Sequence, residues 1–219
     1  MATSTVREVA RQGRLLTLLN RREISARRGM IVSGPQTTGK TTALKELGRL
    51  HELRVRACYP GSDRIPVVYV TTPPKGSPRK LAMEFARFLG LPPARRNANA
   101  TDIADTVCGV LIDARVDLVL VDEIHNLNLA TSAGEDMSDH LKYFTEHLPA
   151  TFVYAGWPDW CAMRMWVRRW WAGRWGVGWG QEEALGLVAA GGGQHGELGG
   201  VFDAFGDDGQ PVGVGGVDE

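Results

Sequence analysis

The chain has 219 residues and a mass of 23.9 kDa, with 43% apolar and 23% charged residues, enough for one or two globular domains around a sizeable core. Its 25 basic residues balance 25 acidic ones, which excludes a histone-like polycation, and no run approaches the ~18 apolar residues of a membrane-spanning helix. The N-terminus has no signal-peptide apolar region, and three scattered cysteines imply neither a disulfide framework nor a zinc site, so a reducing cytoplasmic setting without a membrane partner is expected.

Residues 5–20 read as a helix with Val6, Val9, Ala10 and the cluster Leu15, Leu16, Leu18 and Leu19 on a broad apolar face. Arg7, Arg11, Arg14, Arg21, Arg22, Arg27 and Arg28 surround that face. Residues 30–33 form a short apolar strand that runs into a glycine loop. Residues 41–53 carry Leu44, Leu47 and Leu50 at helical spacing. Residues 65–70 form the next strand, in which Pro66 fits only the first turn or an edge. Ser77 caps a helix with Pro78 at its first position; Leu81, Phe85, Phe88 and Leu89 stripe it, and Gly90 with Pro92 ends it.

Thr101 is expected to cap another helix, with Ile103, Val107, Val110 and Leu111 facing inward and Cys108 a packing residue. Residues 118–121 are an unbroken apolar strand ending in two carboxylates, Asp122 and Glu123. Met137, Leu141, Phe144 and Leu148 stripe a further helix closed by Pro149, and residues 151–155 are a last strand. His51, His140 and His147 lie on these helices without metal-ligand spacing and read as surface residues. Strands alternating with helices argue for an α/β architecture: a mostly parallel sheet with helices on both faces.

The chain changes character near Gly156. Residues 1–156 carry 21 Lys and Arg against 16 Asp and Glu, a net +5, whereas residues 157–219 carry 4 against 9, a net −5. All seven tryptophans and 16 of the 27 glycines follow Gly156, and that 63-residue tail has no Lys, Ser, Thr, Ile, Asn or Tyr. Three readings stay open. The tail is a Gly-rich disordered segment, a cationic Trp-rich interfacial segment, or the product of a GC-rich gene read out of frame. The expected organisation is therefore a basic helical segment at 1–28, an incomplete nucleotide-binding core at 29–156, and the tail at 157–219.

Gly34-Pro-Gln-Thr-Thr-Gly39-Lys40-Thr41 matches the phosphate-loop pattern G-x-x-x-x-G-K-[ST] in full, between a predicted strand and a predicted helix. Glycines let successive backbone N–H groups curl inward around phosphate oxygens, and the following helix aims its positive end at the same anion. Lys40 then reaches the β- and γ-phosphates, and the Thr41 hydroxyl ligates Mg2+. Asp122, just past a buried strand, is suited to hold the same metal, and Glu123 to orient and deprotonate the attacking water. His125 and Asn126 follow, either as phosphate sensors or as a turn histidine with a capping asparagine.

RRGMIVSGPQTTGKTTA, then IPVVYVTTPPKGSPRKLAMEFARFLGLP, then LVLVDEIHNLN, resembles the TniB family of transposition ATP-binding proteins, relatives of TnsC and MuB in the AAA+ class, over residues 5–156. The resemblance implies an AAA+ P-loop NTPase that uses ATP and Mg2+. It would assemble as a ring or filament on target duplex DNA and recruit or activate a transposase, with hydrolysis releasing the assembly. Gly34, Pro35, Gln36, Thr37, Thr38, Gly39, Lys40, Thr41 and Thr42 carry over as the nucleotide loop, and Asp122 and Glu123 as the Walker-B pair. Lys40 and Glu123 carry the catalytic roles. The segment after the second strand faces DNA in such relatives, which makes Lys75, Arg79 and Lys80 candidate phosphate contacts. The sequence departs from the family pattern after Gly156: a polar sensor, a fifth strand, arginine contacts to a neighbour and the helical lid are not matched in 157–219. Their loss would leave apolar sheet surface uncovered and ATPase activity weak or dead. The alternatives are a non-catalytic ATP-binding interaction module and another P-loop ATPase such as a helicase loader.

Overall fold

A strand that is apolar at every position must be covered on both faces, and three of the strands here are buried along their whole length. The computed structural model describes residues 3–23, 27–35, 37–127 and 131–156, with the backbone of two short strands at 175–176 and 186–190. In chain order the elements are α1 (Ser4–Asn20), β1 (Met30–Ser33), α2 (Lys40–Cys58), β2 (Val67–Thr71), α3 (Pro78–Phe88) and α4 (Ala100–Asp113). They continue with β3 (Leu118–Asp122), a 3-10 turn (Ile124–Asn126), α5 (Ser132–His147), β4 (Thr151–Gly156), β5 (Trp175–Gly176) and β6 (Gly186–Ala190).

Four parallel strands lie in the order β2-β3-β4-β1, with Val67 opposite Leu118, Leu118 opposite Thr151 and Met30 opposite Val153. The edge beside β1, which the sequence leads one to expect bare, is paired instead: β6 lies antiparallel to β1, and β5 antiparallel to β6. The remaining expectations for residues 157–219 lie outside the described residues.

Alternation along the strands divides the core in two. Met30, Val32, Leu118, Leu120, Val153 and Ala155 face α1 and α2. Ile31, Val68, Val70, Val119, Val121, Phe152 and Tyr154 face α3, α4 and α5, where Phe85 stacks on Phe144 at 4.4 Å between ring centroids. Gly13 lets α1 approach α2 closely, because a Cβ there would lie 2.6 Å from Leu47 Cδ2.

Several local expectations are corrected. Of the leucine cluster on α1 only Leu16 is buried; Leu15, Leu18 and Leu19 are exposed, because the buried face is completed by Gly13, Thr17 and Asn20. Asn20 bonds the Arg28 backbone and the Thr151 hydroxyl, so a polar residue can occupy that face. α2 runs five residues past Leu53, to Cys58. β2 starts after Pro66, whose carbonyl accepts the Asp117 and Leu118 N–H groups. Asn99, not Thr101, caps α4: its side chain accepts the Asp102 N–H, and Asp102 returns the bond to the Asn99 N–H. Phe88 is exposed and Val110 half-buried. His51 and His140 are buried rather than superficial.

His51 belongs to a cluster at the end of the sheet where the parallel strands begin. Asp117 Oδ2 lies 3.2 Å from Arg64 Nη2, 3.4 Å from His51 Nε2 and 3.8 Å from Arg21 Nη2, tying α1, α2 and the approach to β2 to the start of β3. Burial alone would raise the Asp117 carboxyl, but the His51 hydrogen bond and the Arg64 and Arg21 charges outweigh it and hold the group below the ordinary carboxylate range. A carboxyl with a depressed folded-state pKa stabilises the fold above its unfolded value near ~4 and loses that contribution as pH falls through the folded value. Asp117→Asn is therefore expected to cost about 1–3 kcal/mol at pH 7, with the gap to wild type closing below about pH 4, as read by thermal melts across pH.

Candidate nucleotide site

β1 ends at Ser33 and α2 begins at Lys40, so the six residues between them must reverse the chain at the carboxyl end of the sheet. Gly39 sits at φ 87°, a left-handed conformation that glycine adopts without strain. No side chain caps α2 there, leaving first-turn N–H groups directed out of the helix at its positive end. Thr37 also has positive φ, and Thr38 donates its hydroxyl to the Pro35 carbonyl at 2.8 Å. Gln36 lies outside the described residues. Thr42 is exposed.

Lys40 is buried, and its ammonium donates to the Gly34 and Pro35 carbonyls at 2.9 and 2.7 Å. A buried ammonium held by two neutral carbonyls is only partly compensated and is suited to a stronger, anionic partner.

The structure brings Asp122 to this loop across 81 residues of sequence. Its Oδ2 accepts the Thr41 hydroxyl at 2.7 Å and the Tyr69 hydroxyl at 2.7 Å, and its Oδ1 accepts the Glu123 N–H at 2.9 Å. Tyr69 was not singled out from the sequence; the only hint was a tyrosine near the end of an otherwise aliphatic strand. Burial and the Asp122 carboxylate push its phenol well above the ordinary tyrosine range, so it remains a donor to that carboxylate. A carboxylate and a hydroxyl already in contact form a hard-oxygen donor pair of the kind Mg2+ takes, so the residues present fit a magnesium–nucleotide.

Glu123 adopts a left-handed backbone at φ 58°, and its Oε2 lies 3.1 Å from His125 Nε2. His125 thus engages the glutamate next to Asp122, while Asn126 donates its side-chain amide to the Thr72 carbonyl at 2.8 Å. Thr72 N–H in turn bonds the Asp122 carbonyl, clamping the end of β2 to the end of β3. Gly156, where the family pattern calls for a polar sensor, has no room for one: a Cβ would meet Ile124 Cγ2 at 2.6 Å.

The three candidate DNA contacts separate. Lys75 and Lys80 are exposed, whereas Arg79 is half-buried and donates to the Ala98 and Arg95 carbonyls, bracing the loop before α4. No helix among the described residues is long and apolar enough to cross a membrane.

A family model described as bacterial TniB protein matches residues 6–166, ten residues past the point where the resemblance in the sequence was expected to end. No curated protein sequence matches the chain. Among solved structures, the Orc1 protein of Aeropyrum pernix in complex with DNA is 19% identical with a TM-score of 0.56, over 74% of this chain and 41% of that one. Cdc6p of Pyrobaculum aerophilum is 16% identical with a TM-score of 0.48, over 78% of this chain and 45% of that one. The Drosophila ORC bound to DNA is 13% identical with a TM-score of 0.41, over 76% of this chain and 47% of that one. The chain thus spans less than half the length of each. At these identities the likeness concerns fold alone, and the Orc1 match carries it: an α/β P-loop core of AAA+ type.

Proposed function

Since the chain belongs to the TniB family of bacterial proteins, we propose that it is an ATP-binding transposition protein whose nucleotide site is the loop Gly34–Thr42 facing Asp122 and Glu123. The observation that carries this reading is the Asp122 carboxylate lying 2.7 Å from the Thr41 hydroxyl, beside a buried lysine bonded to the Gly34 and Pro35 carbonyls. When bound, Mg2+ would neutralise phosphate charge and be held by Thr41 and Asp122.

The chain's own residues divide the remaining tasks. Lys40 exchanges its two carbonyl partners for β- and γ-phosphate oxygens, and the first-turn N–H groups of α2 hold the same anion. Tyr69 holds the Asp122 carboxylate aimed at Thr41. Glu123 Oε accepts a proton from the attacking water once it has left His125. In the ATP state the protein would assemble on target duplex DNA, with Lys75 and Lys80 as phosphate contacts, and engage a transposase. Residues 1–28 and 29–156 act together in this reading, since α1 packs on α2, and β6 extends the same sheet beside β1.

A second reading, a non-catalytic ATP-binding module, is favoured by His125 lying 3.1 Å from the Glu123 carboxylate and occupying it. The discriminating experiment is electron microscopy and turnover with duplex DNA. Magnesium–ATP is expected to yield rings or filaments that ADP does not support, with phosphate release. Nucleotide binding without turnover selects the module, and absence of any ATP-dependent assembly on DNA sinks the transposition reading.

A further inference from the structure

The outer surface of α1 and α2 carries a second anionic-ligand feature, remote from Lys75 and Lys80 in the sequence. α1 buries Val6, Val9, Gly13 and Leu16 in its own core, which turns the arginines of the same helix outward. Arg7, Arg11, Arg14 and Arg21 follow intervals of four, three and seven residues, so they lie along one helical face. α2 supplies Arg54 opposite them. Between the two helices runs a groove lined by these five arginines and by Ala10, Thr17, Leu18, Leu47, Leu50, His51 and Val55, with Cys58 and Tyr59 at one end.

No carboxylate lines the groove. Arg11 pairs with Glu8, and Arg21 reaches Asp117, but Arg7, Arg14 and Arg54 have no acidic partner among the described residues. On the outer faces of α2 and α3, Arg49 pairs with Glu46, Arg56 with Glu52 and Arg87 with Glu84. Unpaired arginines in one row repel one another, an arrangement that a bound polyanion relieves. At a rise of about 1.5 Å per residue the row spans about 21 Å from Arg7 to Arg21, alongside which duplex DNA presents roughly a dozen charges. The cationic groups are all arginine, whose planar fork suits phosphate oxygens. The exposed Leu18 of α1 lines the groove together with Leu47, Leu50 and Val55, so the arginines rim an apolar floor.

We infer that the arginine-lined groove between α1 and α2 binds the phosphodiester backbone of duplex DNA. Being made of exposed side chains on two packed helices, it does so without nucleotide. This inference rests on the DNA-binding reading above and adds a surface to it. An acidic protein segment is the competing occupant.

The test compares the full chain with Arg7→Gln/Arg14→Gln/Arg54→Gln and with Arg49→Gln/Arg56→Gln/Arg87→Gln, which removes the same charge from paired positions. Binding of a labelled duplex is measured without nucleotide across salt concentrations. The groove variant is expected to bind about 10- to 100-fold more weakly, with its log–log salt slope shallower by about 3, while the control variant stays within about 3-fold of wild type. Duplex should also slow alkylation of the exposed Cys58 thiol in wild type, a readout that needs no substitution. Equal losses in both variants, or an unchanged salt slope with unprotected Cys58, overturn the groove while leaving DNA binding through another surface intact. Absence of duplex binding by the wild-type chain, with Cys58 instead protected by a poly-glutamate peptide, overturns it in favour of an acidic protein partner.

Discussion

Lys40→Ala is expected to weaken magnesium–ATP binding by at least about 100-fold, or about 2.7 kcal/mol, as read by calorimetry. The size follows from what the ammonium does in the fold. It is buried and donates to two neutral carbonyls, Gly34 and Pro35, so the chain already bears the desolvation of the charge before any ligand arrives. Charge-assisted hydrogen bonds contribute about 1.5–3 kcal/mol each, and the lysine makes more than one when it turns to a polyphosphate. The fold should lose little, since Pro35 is exposed and water can serve its carbonyl. A melting temperature within a few degrees of wild type would separate lost binding from lost folding. Undiminished affinity in a folded variant would remove Lys40 from the site.

Glu123→Gln should retain nucleotide binding and lower turnover by about 100- to 10,000-fold, the range of a positioned general base. The side chain engages His125, and its backbone N–H, which serves Asp122, is unchanged by the substitution. The left-handed backbone at Glu123 is equally demanding for glutamine, so the Asp122 arrangement should survive. Retained turnover would refute the role. Parallel measurements of phosphate release and of nucleotide affinity decide it.

The phosphate loop and its acidic partners were legible because their chemistry is written in consecutive residues at fixed spacing. The parallel sheet was legible for a related reason, since residues 30–32, 118–121 and 152–155 are runs of apolar and aromatic residues that need cover on both sides. What the sequence hid depends on pairing between distant elements. Tyr69 reaches Asp122 only because β2 and β3 align Tyr69 with Leu120, which no local pattern states. His51 sits on a helix like any surface histidine, and its burial follows from Asp117 arriving beneath it. On α1 only Leu16 of the four leucines is buried, and the docking face is completed instead by the small Gly13 and the hydrogen-bonded Thr17 and Asn20. The cap of α4 was legible and misread: Asn99 and Asp102 stand three residues apart, the spacing of a reciprocal cap, with the unused Thr101 between them.

The bond from Asn126 to the Thr72 carbonyl gives the site a mechanical property. The turn after Glu123 and the stretch leading to Lys75 are fastened together at one amide, and Thr72 is fastened again to the Asp122 carbonyl. Swinging Glu123 away from His125 therefore pulls on the same rivet that anchors the lysine-bearing loop. The turn after Glu123 and the start of the loop that carries Lys75 are thereby joined at the carboxyl end of the sheet.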